Sequence, residues 1–236
     1  MPDAPIVSVR GLVKRYGDAT VLDVPALDLA AGTCVGLVGN NGAGKTTLIR
    51  AMLDLLRPTA GEARIAGHPV AEGAAWKRHV GAFLDTSFLV DFLRPREHFR
   101  LVGGAYGMAP AAVDARVDAL APFLGRALGG GLIRDLSMGN AAKVGVVAAV
   151  LPAPALVVLD EPFANLDPGA RIALERLVAA ERDRGACVLV SSHDLDPVAS
   201  VCDRVLVLAG GRVVRDTPST PSTLGELRAY FAEAVA

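Results

Sequence analysis

The order of apolar and polar positions divides the chain into stretches with different periods. In the first stretch, Ile6–Val13 and Val21–Leu29 flank the turn-like Gly17-Asp18 and predict a hairpin, and Glu62–Ala66 predicts a third strand. Cys34–Val38 is apolar without alternation, as in a strand covered on both faces, and it leads through a glycine-rich loop into helical spacing over Thr46–Leu56. From Arg94 to about Val150 the β-branched runs give way to alanine, leucine and arginine at helical spacing, as in Ala111–Leu124, so an inserted helical lobe is expected. Strand signals then return at Leu156–Leu159, Ala186–Val190 and Arg204–Leu208, with a helix over Pro168–Arg184 and Gly210-Gly211 turning into Arg212–Val214. Strands separated by helices imply a mostly parallel sheet. The Pro-, Ser- and Thr-rich Thr217–Thr223 reads as a loop before a short amphipathic helix, Leu224–Val235.

The expected architecture is therefore α/β, with a mostly parallel core, an N-terminal antiparallel β subdomain and an α-helical subdomain inserted at about 90–150. A single domain over 4–216 is followed by the C-terminal loop and helix, 217–236.

An apolar composition raises the question of a membrane span. The longest suspect run, Val144–Leu159, is shorter than the roughly 20 residues a bilayer requires, contains Pro152 and Pro154, and ends on Asp160 and Glu161. It reads instead as a helix, a turn and a buried strand. The start, Met1–Arg10, lacks a basic region followed by an apolar core, so a cytoplasmic location is expected. Lysine plus arginine (24) nearly balance aspartate plus glutamate (25), so no nucleic-acid partner is expected from net charge. Cys34, Cys187 and Cys202 have neither metal-ligand spacing nor a nearby Cys or His, and reduced buried thiols are expected.

The chemistry is concentrated in a few short segments. Gly39-Asn40-Asn41-Gly42-Ala43-Gly44-Lys45-Thr46 fits the phosphate-loop pattern and lies between a predicted strand and a predicted helix, which identifies the core as a P-loop NTPase. Its glycines let successive N–H groups turn inward on a phosphate chain, with Lys45 reaching the β and γ phosphates. Thr46 supplies a hard oxygen for Mg²⁺, and Thr47 a further phosphate contact. Asp160 stands at the carboxyl end of Leu156–Leu159, where ligands of parallel sheets bind, and can hold Mg²⁺ through water. Glu161 can polarise the water that attacks the γ phosphate.

A third segment, Leu136-Ser137-Met138-Gly139-Asn140, resembles the LSGGQ signature of the ATP-binding cassette (ABC) family, and Ala164-Asn165-Leu166-Asp167 and Ser191-Ser192-His193 follow in that family's order. The resemblance runs from about Val7 to Val214 and points to the ATP-binding subunit of an export-type transporter. It implies an ATPase in which the signature of one copy closes over ATP held by the phosphate loop of another, either a second copy or a related subunit. Ser137 and Gly139 then touch the γ phosphate, His193 helps position Glu161 and the water, Asp167 contacts the opposite site, and Tyr16 stacks on adenine. A separate transmembrane permease is implied as partner, with the chain held at the cytoplasmic face of the membrane.

Three positions depart from the family pattern. Asp85 replaces a glutamine that would touch Mg²⁺, water or the permease, and an acid there occurs in some export-type members. Met138 and Asn140 replace a glycine and a glutamine. Gly129-Gly130-Gly131 is a hinge candidate for the helical lobe. Two alternatives stay open: a soluble cassette ATPase acting on ribosomes, DNA or cofactor assembly, and a regulatory subunit with little hydrolysis.

Overall fold

The computed structural model describes residues 4–233. β1 (Val7–Tyr16) and β2 (Ala19–Leu29) form the N-terminal hairpin, in register from Val7 opposite Leu29 to Tyr16 opposite Ala19. β3 (Cys34–Val38) leaves this sheet for a second one, and the glycine loop after it enters α1 (Lys45–Met52). β4 (Ala60–Ile65) and β5 (His68–Pro69) complete the first sheet, antiparallel in the order β2-β1-β4-β5.

β6 (Val80–Phe83) precedes the helical lobe of α2 (Pro95–Ala105), α3 (Pro110–Leu124) and α4 (Met138–Val150). The chain then alternates through β7 (Leu156–Leu159), α5 (Pro168–Asp183), β8 (Cys187–Ser192), α6 (Leu195–Val201), β9 (Arg204–Ala209), β10 (Arg212–Pro218) and α7 (Pro221–Glu233). The second sheet has the order β10-β9-β3-β8-β7-β6, parallel except for β10.

The central strands carry no polar alternation because each separates two cores. Val35 and Leu37 of β3 face one core, with α1 and the antiparallel sheet, whereas Cys34 and Val38 face the other, with α4, α5 and the helical lobe. Leu156 and Val158 part from Val157 and Leu159 in the same way. The period of two survives in which core each residue enters, not in its polarity.

Several boundaries differ from the sequence expectation. α1 stops at Met52 rather than Leu56, because Asp54 adopts a left-handed conformation (φ 54°) that ends the helix. β8 extends past Val190 to Ser192. β10 runs to Pro218, held by antiparallel pairing with β9 and the Arg204–Asp216 ion pair, and α7 begins at Pro221. The expected loop Thr217–Thr223 thus shrinks to Ser219 and Thr220, where the Thr220 hydroxyl accepts the Thr223 N–H at 3.2 Å. The last two residues of the expected helix, Ala234 and Val235, and the chain start at Met1–Asp3, lie outside the described residues.

All three cysteines are free and buried, but Cys34 has a companion that its sequence neighbours do not reveal. Pairing of β3 with β9 brings the Cys202 Sγ to 3.4 Å from the Cys34 Sγ. Among the described residues no helix is long and apolar enough to cross a membrane.

Candidate functional site

The phosphate loop sits at the carboxyl edge of the parallel sheet. Gly39 is required by close approach, since a Cβ there would lie 2.3 Å from the Leu208 carbonyl oxygen of β9. Gly42 (φ 80°) and Gly44 (φ 106°) take backbone angles open to glycine, and Gly44 opens α1. Asn40, Asn41 and Gly42 are exposed, Ala43 is buried, and the Ala43 carbonyl accepts the Gly211 N–H at 2.9 Å. Thr47 is half-buried in the first turn of α1.

Lys45 is 7% exposed and turns back over its own loop. Its ammonium donates to the Gly39 carbonyl at 2.7 Å and lies 3.3 Å from Glu161 Oε1. Thr46 Oγ1 donates to Asp160 Oδ2 at 2.8 Å. The buried Ser191 hydroxyl donates to Asp160 Oδ1 and accepts the Glu161 N–H at 2.9 Å. Glu161 has φ 49°, a left-handed conformation that costs a residue with a Cβ on the order of 1–3 kcal/mol. Its other carboxylate oxygen, Oε2, is 2.8 Å from His193 Nδ1 and accepts the His193 N–H at 3.3 Å. The Glu161 carboxylate is thereby spanned by a cation from α1 and an imidazole from the end of β8.

Tyr16, 57% exposed, ends β1 with the Lys14 ammonium 4.8 Å from its ring centre. The hairpin reaches the loop through the Val21 carbonyl oxygen, which a Cβ on Gly44 would meet at 3.3 Å.

The signature residues border a cleft of their own, and Met138 and Asn165 also line the cavity that holds Asp160 and Glu161. Ser137 caps α4, its Oγ accepting the Asn140 N–H at 3.4 Å. A Cβ on Gly139 would lie 2.5 Å from the Asn165 carbonyl oxygen, so only glycine fits there, and Asn165 itself is left-handed (φ 60°). Asp167 caps α5 and accepts the Ala170 N–H at 2.9 Å, which holds its carboxyl below the usual range, with the charge of Lys143 adding to the effect. An open cleft of about 720 Å³ is lined by Ser137, Met138, Gly139, Asn140, Asn165 and Asp167 among others, and by no residue of the phosphate loop.

Asp85 caps the turn Thr86–Phe88 by accepting the Ser87 N–H at 2.7 Å, sits 3.8 Å from Arg50, and lines a cavity of about 210 Å³ together with Asp160 and Glu161. Ser191 and Asn165 are the residues sequence reasoning named only as parts of motifs. The position of Ser191 at the end of a buried strand beside His193 was the available signal for its contact with both acids.

The ABC transporter family model matches residues 22–164. The chain is 33% identical to the Nod factor export ATP-binding protein I of Cupriavidus pinatubonensis over 89% of its own length and 66% of that protein's, so it spans about two thirds of this relative. It is 34% identical to the phosphonates import ATP-binding protein PhnC 1 of Natronomonas pharaonis, over 96% of the chain and 99% of the relative. A solved structure described as the ATP-binding subunit of an ABC transporter superposes with a TM-score of 0.84 at 32% identity, covering 96% of this chain and 93% of that one.

Proposed function

Because the chain belongs to the ABC transporter family, we propose that it powers a separate membrane permease by an ATP-driven, head-to-tail pairing of two such subunits. One observation carries the pairing: Asn40–Gly42 of the phosphate loop are exposed, and the open Ser137–Asp167 cleft is lined by no residue of that loop, so neither surface is complete alone.

In each composite site the amides of Gly39–Lys45 wrap the phosphates, Thr46 and Thr47 add hydroxyl contacts, and Tyr16 stacks on adenine. The γ phosphate draws Lys45 away from Gly39 and Glu161, leaving Glu161 to orient and deprotonate the attacking water while His193 holds its carboxylate. Ser137, Gly139 and the N-terminus of α4 from the second copy cover the same phosphate, and Asp167 contacts the opposite site.

Thr46 and Asp160 suit Mg²⁺, two hard oxygens already 2.8 Å apart at the sheet edge. Mg²⁺ held by these two residues would neutralise charge on the terminal phosphates. Asp85 lines the cavity next to that pair, and we assign it to capping its turn at the permease-facing surface.

Residues 4–216 act as the ATPase unit, with the lobe at about 90–150 inserted and the tail from 217 packed on it through Leu227. The permease docks in the groove of about 250 Å³ between lobe and sheet, beside Asp85, where Phe88 is exposed. This docking holds the chain at the cytoplasmic face. Export is favoured by the acid at position 85 and by the Nod factor export relative. The test is size-exclusion chromatography of Glu161→Gln, which should bind ATP without turning it over. We expect a dimer with Mg-ATP and a monomer with Mg-ADP; a monomer in both removes the pairing.

A further inference from the structure

The cleft of about 720 Å³ beside the signature holds three charged side chains, Arg126, Lys143 and Asp167. The Asp167 carboxylate is engaged in capping α5 through the Ala170 N–H. Among the described residues neither Arg126 nor Lys143 forms an ion pair or a side-chain hydrogen bond, so the cleft holds two unpaired cations, of which Arg126 alone is a guanidinium.

Although the side chain is free and exposed, its backbone is fixed. Gly125 takes φ 51°, which favours glycine, and opens the turn Gly125–Leu128. Ala127 is fully buried in the core below, and the Arg126 carbonyl accepts the Gly129 N–H at 3.0 Å. The chain therefore holds an unpaired guanidinium at the rim of a cleft that carries net positive charge and includes the amide end of α4. A guanidinium fork matches phosphate oxygens better than an ammonium does, and it keeps its charge at every working pH.

We propose that Arg126 reaches across the dimer to the polyphosphate of the nucleotide seated in the other copy's phosphate loop. This inference rests on the head-to-tail pairing proposed above. It makes Arg126 a second nucleotide-contacting cation, supplied in trans, alongside Lys45 in cis. Arg126 senses nucleotide only when two copies meet, so its loss weakens ATP-driven pairing and leaves ATP binding to the single chain intact.

The experiment places Arg126→Ala and Arg126→Lys in the Glu161→Gln background and titrates Mg-ATP against the dimer fraction by sedimentation. Arg126→Ala should raise the ATP concentration at half-dimerisation by about tenfold, the loss expected for one charge-assisted hydrogen bond, and Arg126→Lys should recover part of it. ATP affinity of the dilute monomer, by calorimetry, and the nucleotide-free melting midpoint should not change. An unshifted titration for Arg126→Ala, while Glu161→Gln itself dimerises, overturns the proposal. So does a matching loss of monomer affinity, or a lysine variant no better than alanine, because either assigns the effect to something other than charge in trans. A Glu161→Gln protein that never dimerises removes the pairing itself, and this inference with it.

Discussion

Ser191 bonds both acids of the site, donating to Asp160 and accepting the N–H of Glu161. The second bond restrains a left-handed residue whose backbone would otherwise relax, so Ser191 sets where the Glu161 carboxylate points. Ser191→Ala should fold normally and lose turnover by roughly ten- to a hundredfold, the equivalent of one or two hydrogen bonds to charged or strained groups. A phosphate-release assay on the purified variant checks this, and an unchanged rate would deny Ser191 that role. At this scale the sequence was informative wherever a motif ties residue type to spacing. The loop, Asp160 and Glu161 could be read because their neighbours in sequence are their neighbours in space. The Cys34–Cys202 pair and the Gly139–Asn165 contact could not, since each is made by distant segments whose meeting depends on packing.

Among the elements, α2 carries a buried cost. His98 is 4% exposed, and its Nδ1 has no hydrogen-bond partner. Burial lowers its pKa from the ordinary 6.5. The folded chain thus favours the neutral ring, and the unfolded chain binds a proton at a pH where the folded one does not. The stability of the neutral form is fully present above about pH 6.5 and is lost as pH falls below it. Urea melts of the wild type should therefore weaken between pH 7.5 and 5.5, and His98→Phe should remove part of that slope. Equal slopes for the two proteins would place the pH dependence elsewhere. A helical segment from Arg94 was legible from spacing, whereas this cost was not: a histidine between Glu97 and Phe99 reads alike whether or not its nitrogens find partners. Element ends were misjudged where a single residue decides them, as Asp54 does for α1, or where pairing with a distant strand extends them, as β9 does for β10.

For the molecule as a whole, one parallel sheet separates two cores, and each core supports one surface. The core containing α1 carries the phosphate loop, and the core of the helical lobe carries the cleft at Ser137. The alternation of strand and helix foretold the sheet, and the alanine, leucine and arginine at helical spacing between Arg94 and Val150 foretold the lobe. Their mutual placement was not legible, because it depends on contacts such as Gly145 against Phe83, where a Cβ would come within 2.2 Å of the ring.

The separation of loop and cleft has a consequence in genetic terms. Under the proposed pairing, lesions in the two surfaces should complement each other: Lys45→Ala and Ser137→Ala proteins, each expected to be inactive alone, should regain ATP hydrolysis when mixed. The mixed pair holds one intact site, built from the loop of the second protein and the cleft of the first. By the same logic a chain carrying both lesions should inhibit wild-type copies, since every pair that it joins would have no complete site.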